Sequence, residues 1–264
     1  MTPIQAQAPE QVFWCQVDRQ AVQLKPHFHD TYAFGLISQG LSRYRCGTRQ
    51  FETNPATAHL INPGEVHAAA PAAELAISYT TFHVPQVYLR SWMPGSAEPV
   101  FGRAIDARPG VTMAMRAALQ PLADPAAQAL AVETMLASVL PLLMGQAQLL
   151  RPTGAHPRGL ARARDHLAAR LTGPVPLAEL AAVANMERSH FVRQFKRHFG
   201  LPPHQMLQQM RVIAARARLF AGATAADAAV DSGFCDQSHL IRNWRAVYAI
   251  PPSRVHKVNF VQSR

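Results

Sequence analysis

The sequence has only three cysteines, Cys15, Cys46 and Cys235, and no CxxC pair among them. So sparse and odd a set reads as free thiols in a reducing compartment, not as a disulfide framework. Long apolar runs are missing as well. The longest nearly apolar stretch, Leu136 to Met144, is far too short to span a bilayer and contains Pro141. Met1-Thr2-Pro3-Ile4-Gln5-Ala6 shows no basic region followed by an apolar one, so no secretory signal is expected. No Ser/His/Asp constellation and no phosphate-binding glycine loop stands out. These absences point to a soluble cytoplasmic protein with no membrane partner and no evident enzymatic chemistry.

Acidic residues are also unevenly missing. Residues 1–150 hold 9 Lys and Arg against 10 Asp and Glu, whereas residues 151–264 hold 17 against 6. The formal charge of +10 therefore sits in the C-terminal part, which suits a polyanion: each cation placed at a phosphate releases condensed counterions. With 264 residues, nearly half of them apolar, the chain has enough material for two modest domains with cores of their own.

What is present in the basic half is a repeat. Ser189-His190-Phe191-Val192-Arg193-Gln194-Phe195-Lys196 returns 49 residues later as Ser238-His239-Leu240-Ile241-Arg242-Asn243-Trp244-Arg245. The register holds without a gap to Pro202-Pro203 against Pro251-Pro252, which makes this a duplicated module. In the first copy, Leu177 to Ala184 reads as a short helix behind Pro174 and Pro176. A tight turn at Asn185-Met186-Glu187 follows. A second helix then carries Phe191, Phe195 and Phe199 as an apolar stripe and ends at Gly200 and Pro202. In the second copy Gly233 takes the turn, Asp236 is the N-cap, and Leu240, Trp244 and Tyr248 repeat the stripe. A short helix, a tight turn and a second helix with an exposed basic face form the helix-turn-helix pattern for double-stranded DNA. A helix over His204 to Phe220 would join the two units rigidly, and Leu160 to Leu171 reads as a leading helix.

The residues expected to meet DNA lie off the stripes. Arg193 and Arg242 carry forked donors that match guanine O6 and N7. Arg188, Ser189, Gln237 and Ser238 can reach base edges or nearby phosphates, and Val192 and Ile241 can pack on a thymine methyl. Lys196, Arg197 and Arg245 lie farther along and suit phosphates, which position without specifying. His190 and His239 stay open between base reading, phosphate contact and packing against their own helix.

This arrangement, from about Leu160 to Val255, resembles the AraC/XylS family of bacterial transcription regulators. The most specific match is Asp231-Ser232-Gly233-Phe234-Cys235-Asp236-Gln237-Ser238-His239-Leu240 with Pro251-Pro252-Ser253-Arg254. Asn185 and Glu187 stand where the family usually has Gly and Ser, and Glu187 is expected to cap poorly. Ala225 and Ala228 replace larger aliphatics, so a thinner core is expected in the second unit.

In the N-terminal half, Tyr32 to Ile37, Leu41 to Cys46, Ala58 to Ile61 and Leu75 to His83 read as strands broken by Gly and Pro, the signature of a barrel or sandwich. Residues 12–85 resemble the cupin-type effector domain of the same family. The resemblance implies a small-molecule effector pocket, to which His27, His29, Tyr32, Glu65 and His67 are assigned. An HxH on one strand would aim both imidazoles to one face, and with His67 they would make a three-His divalent metal site. The carboxylate usual in such cupins is absent from Thr31-Tyr32-Ala33-Phe34-Gly35, so no cofactor is expected. Leu119, Leu122, Leu130, Met135, Leu136, Val139, Leu140 and Leu143 recur at helical spacing, either as packing on the domain or as a homodimer contact.

The expected fold class is α+β in two domains: an N-terminal cupin-like β-barrel with packed helices and a C-terminal all-α double helix-turn-helix. The boundaries are 1–110 for the sensor, 111–150 for connector and dimerisation helices, 151–158 for the linker and 159–264 for the DNA-binding domain. The expected partners are DNA, an effector and RNA polymerase, in a monomer or homodimer. Two alternatives stay open: a cupin metalloenzyme with a DNA-binding appendage, and an effector-independent DNA-binding protein with the barrel as dimerisation scaffold.

Overall fold

A computed structural model of the chain describes residues 11–21, 23–72, 76–90, 99–144 and 157–258. The expected linker, up to residue 156, and the end of the connector segment, 145–150, lie outside them. The chain divides into two compact units. One is built on Pro152–Pro252 and also takes in Pro26–His29; the other comprises Glu10–Lys25, Asp30–Arg151 and Ser253–Arg264.

The strands among the described residues, all but the end of β2 in the sensor unit, are β1 (Val12–Gln20), β2 (Leu24–His27), β3 (Tyr32–Gln39), β4 (Ser42–Cys46), β5 (Arg49–Thr53), β6 (Ala58–Ile61), β7 (His67–Pro71), β8 (Ile77–Val84), β9 (Ile105–Asp106) and β10 (His256–Val258). They form one sheet in the order β10-β1-β8-β3-β6-β9 and a second in the order β2-β7-β4-β5. The expected barrel is thus two facing sheets. In β4, buried Ser42, Tyr44 and Cys46 alternate with exposed Arg43 and Arg45, as in a strand with one face in water. In β3, both faces are buried. Tyr32, Phe34 and Leu36 enter one core, while Ala33 packs with Tyr44, Cys46 and Ile61 between the sheets.

Helices cover the far side of the larger sheet: α1 (Gln86–Arg90), α2 (Pro109–Leu119), α3 (Gln128–Thr134) and α4 (Leu140–Met144). Between α3 and α4 the chain widens to a π turn over Met135–Val139, two residues before Pro141, whose missing N–H interrupts the α-helical ladder. Leu122, Met135, Leu136, Val139, Leu140 and Leu143 are buried against the sheet, so these helices belong to the sensor core. Leu130 is the exception, exposed to 67%. Buried Asp106 pairs with Arg108 (2.6 Å), whose guanidinium also donates to the Leu142 carbonyl, which joins the start of α2 to the end of the helical cover.

The helical unit contains α5 (Arg158–Ala169), α6 (Leu177–Ala184), α7 (Arg188–Phe199), α8 (Pro203–Phe220), α9 (Ala225–Asp231) and α10 (Gln237–Tyr248). Asn185 adopts the left-handed conformation (φ 54°) that ends α6, and the Met186 N–H reaches back to the Ala181 carbonyl. With 18 residues, α8 is about 27 Å long. Its buried Arg211 donates to the carbonyls of Leu171 (2.7 Å) and Gly173 (2.9 Å), ahead of the first helix-turn-helix. Its Arg216 donates to the hydroxyl of Tyr248 (3.1 Å), at the end of the second. In the turn of the second unit, Gly233 (φ 85°) presses so close that a Cβ would lie 2.3 Å from the Leu171 carbonyl oxygen. Ala228 and Ala229 are fully buried in α9 and Val230 is 63% exposed, in keeping with the small second core.

Candidate nucleic-acid interface and ligand site

The first reading surface is built by the stripe beneath it. Phe191 and Phe195 are fully buried and meet edge-on (centroids 5.4 Å), and Phe199 packs on Phe195 at 4.6 Å. That fixes the opposite face of α7 outward. Arg188, Ser189, His190, Arg193, Lys196 and Arg197 are exposed, and Val192 is half-buried. Glu187 corrects the expectation of a poor cap. Its Oε2 accepts from the backbone N–H groups of Ser189 (2.9 Å) and His190 (3.0 Å) and from the Ser189 hydroxyl (2.6 Å). A glutamate is long enough to fold back onto the first turn, which a rule drawn from shorter cap residues does not anticipate. The Ser189 hydroxyl, the two N–H groups and the nearby Arg193 hold this carboxyl down at about 2.

The second surface repeats the design. Leu240, Trp244 and Tyr248 are buried, and Gln237, Ser238, Arg242 and Arg245 are exposed. Asp236 caps α10 by accepting from the His239 N–H (2.7 Å). Ile241 is half-buried, and the His239 ring meets Phe234 edge-on at 5.2 Å, so this imidazole packs on its own unit.

The residues assigned to the effector are distributed over the two compact units. Tyr32 points into the helix-side core, donates its hydroxyl to the Pro99 carbonyl (2.5 Å) and meets Phe101 edge-on. It is Ala33, one residue on, that faces the second sheet. His29 lies beyond the end of β2, so His27 and His29 are not a one-face pair on a strand; both are buried, with rings 6.3 Å apart. They fall in the compact unit that takes in Pro26–His29, and Glu65 and His67 fall in the other. Among the described residues no three His, Cys, Asp or Glu side chains group as a metal centre.

Glu65 and His67 do come together, on a cluster that sequence reasoning does not single out. Glu65 accepts from the Cys46 thiol (2.7 Å) and from the backbone and side-chain N–H groups of Asn62 (3.0 and 3.1 Å). His67 stands opposite Cys46 in the β4–β7 register and donates Nδ1–H to the Glu65 carbonyl (2.9 Å). Burial, then the bond to Glu65, pushes the Cys46 thiol up to about 12, so it stays protonated as a donor. The neighbouring Tyr44 hydroxyl is raised too, chiefly by burial, with Cys46 and Glu65 beside it adding to the shift. The alternation Ser42-Arg43-Tyr44-Arg45-Cys46 is the signal that puts Tyr44 and Cys46 on one inward face.

Across from them, His59 donates to or accepts from the Thr81 hydroxyl (2.9 Å) and lies over Gly35, where a Cβ would come within 2.7 Å of its ring. Burial alone pushes His59 down to about 4 and drives Tyr79 upward, with Cys15 adding to the latter. Both nonetheless keep accessible surface. The only buried Arg or Lys side chains among the described residues are Arg211 and Arg216, both on α8.

Residues 15–139 match the family described as AraC-like ligand binding domain, and residues 180–257 match the one described as Helix-turn-helix domain. The uncharacterized HTH-type transcriptional regulator YbfI of Bacillus subtilis (strain 168) is 25% identical over 221 residues, covering 81% of this chain and 80% of YbfI. ToxT from Vibrio cholerae O395 superposes with a TM-score of 0.53 at 10% identity, over 92% of this chain and 94% of ToxT. Unsaturated fatty acid bound ToxT from Vibrio cholerae strain SCE256 gives 0.53 and 10% over 93% and 95%. At that identity the likeness is one of fold. Together these define a two-domain regulator, a ligand-binding domain followed by a helix-turn-helix DNA-binding domain. The chain belongs to the AraC family of transcriptional regulators.

Proposed function

We propose that this regulator reads DNA with Arg193 and Arg242 and responds to an uncharged small molecule held between its two sensor sheets. The observation that carries the DNA reading is the exposure of both arginines at equivalent positions of two recognition helices. Rigid helices on such a spacer suit successive major-groove segments about 34 Å apart. Arg188, Gln237 and Ser238 contact base edges, Val192 and Ile241 pack on thymine methyls, and Lys196, Arg197 and Arg245 hold phosphate.

The effector reading rests on His59 and Tyr79. Each sits in a deep, desolvating environment and still keeps accessible surface, which is what the wall of an enclosed space does. The buried Tyr44 hydroxyl, beside Cys46, supplies a hydrogen-bonding group there. Among the described residues no buried Arg or Lys side chain lies in the sensor sheets to neutralise a carboxylate, which favours an uncharged ligand. The ligand acts by binding two states of the protein unequally, and no catalytic step or resident metal is assigned. The protein works in the cytoplasm; no helix among the described residues is long and apolar enough to cross a membrane. Contact with RNA polymerase completes the scheme, and Met113 and Leu130, each 67% exposed, are the apolar positions a second copy would cover.

The test is selection of duplexes from a random pool by the full-length protein, followed by binding of the enriched sequence and a scrambled one. Arg193→Ala and Arg242→Ala should each reduce the preference. No enrichment, or preference unchanged in both variants, overturns the assignment. For the ligand, thermal shift with a long-chain fatty acid and the matching alcohol is decisive: stabilisation by the acid alone rejects an uncharged effector.

A further inference from the structure

We infer that Glu187 and Asp236 are specificity-determining residues, which keep backbone phosphate away from the leading ends of the two recognition helices. The inference rests on the reading that α7 and α10 enter the major groove.

The two carboxylates occupy equivalent positions of the repeat, 49 residues apart, and each is the N-cap of its recognition helix. Neither helix has an acidic residue of its own, so these are the only negative charges on two otherwise basic segments. The other four helices of the unit begin differently. Pro157, Pro176 and Pro202 stand at the N-caps of α5, α6 and α8, and Thr224 caps α9 by accepting from the Asp227 N–H (3.1 Å). A neutral hydroxyl or amide caps a helix as well as a carboxylate does. Charge at the N-cap itself is thus confined to the two helices that read DNA.

Free N–H groups at a helix N-terminus form a ready phosphate site, and a recognition helix with that site open gains affinity for any duplex. Here Glu187 Oε2 takes the Ser189 and His190 N–H groups, and Asp236 Oδ1 takes that of His239. The donors that would grip phosphate are occupied, and the occupant repels it. Sequence-independent binding falls. Contacts from Arg193 and Arg242 to base edges then make up a larger share of the total, which is how a repulsive element raises discrimination. The same carboxylate oxygens can accept from a cytosine N4 amino group, a base contact that phosphate cannot imitate.

The experiment uses the full-length protein with Glu187→Gln, Asp236→Asn and the pair, bound to scrambled duplex and to the enriched sequence between about 50 and about 200 mM salt. Amide oxygens retain the caps, so the variants should fold as wild type does, with only a small drop in thermal melting from the charge lost at each helix end. Affinity for scrambled DNA should rise about two- to fivefold for each single variant and about tenfold for the pair, with a steeper salt dependence. Affinity for the enriched sequence should rise less, so the ratio falls. Glu187→Asp keeps the charge and should leave scrambled-DNA binding as in wild type, whatever it does to the cap. Unchanged or weaker binding of scrambled DNA by the pair overturns the inference, as does Glu187→Asp behaving like Glu187→Gln. Failure of the groove reading is seen separately, as unchanged preference in Arg193→Ala and Arg242→Ala.

Discussion

The imidazole of His256 lies flat on the indole of Trp14, with ring centroids 3.9 Å apart and planes within 6°. The stack belongs to β10, whose three residues pair with β1 in the register Val12–Val258, Phe13–Lys257 and Trp14–His256. Val258 enters the same apolar core as Val12 and Trp14. A chain ending at Arg254 would uncover that core and leave one edge of β1 unpaired. Burial of a valine contributes about 1.5–3 kcal/mol, and the sensor should lose stability of that order. Thermal melting followed by near-ultraviolet circular dichroism checks this; an unchanged melt would mean that β10 does not hold its place in solution.

Gly233→Ala should damage the helical unit through two effects at one atom. The residue sits at φ 85°, where an L side chain is strained, and the new methyl would stand 2.3 Å from the Leu171 carbonyl oxygen. That carbonyl also accepts from Arg211, so moving it disturbs the bond that anchors Leu171 and Gly173 on α8. A loss of about 2–4 kcal/mol is expected in urea unfolding. A loss below about 0.5 kcal/mol would show that the turn adjusts freely.

These two elements mark what the sequence makes legible. The helical unit could be read because its signals are local: the phenylalanine stripe, Asn185 in the left-handed turn and Asp236 at the cap all act within one or two helical turns. Glu187 escaped because its capping depends on a side-chain conformation and not on a residue preference. In the sensor, β6 is legible to the residue, but β1, β5, β7, β9 and β10 are not. Both faces of β1 are largely buried, which removes the alternation, and β10 is three residues that only a distant partner turns into a strand. Tyr32, assigned to the effector pocket, lies in the helix-side core; because β3 is also buried on both sides, sequence parity alone does not say which of its faces meets the second sheet. His59 is inward only because Gly35 on the next strand leaves room for its ring.

His59 gives a pH dependence of definite sign. Burial depresses its pKa in the folded protein to about 4, so the unfolded chain takes up the proton first as pH falls. The stabilisation is complete above about pH 6.5 and is lost progressively as pH falls from there towards about 4. From near pH 7 to near pH 5 the loss is about 2 kcal/mol. His59→Gln cannot take up that proton, and its stability should fall less over the same interval. Burial lowers His256 in the same sense, which leaves the variant a residual slope. Parallel urea curves for wild type and variant at the two pH values decide it; equal losses would place His59 in contact with water.

Removing a phosphate contact and removing a base contact should leave different traces. Lys196 and Arg245 lie past the first turns of α7 and α10, on their exposed faces, whereas Arg193 and Arg242 stand closer to the leading ends. Lys196→Ala and Arg245→Ala should weaken scrambled and enriched duplexes alike and lower the salt slope by about one unit each. Arg193→Ala and Arg242→Ala should instead weaken the enriched sequence by about 1–3 kcal/mol more than the scrambled one. Binding measured across a salt series separates the two. If Lys196→Ala reduced discrimination as much as Arg193→Ala does, α7 would be inserted more deeply along its length, and the division between positioning and reading residues would have to move towards its C-terminal end.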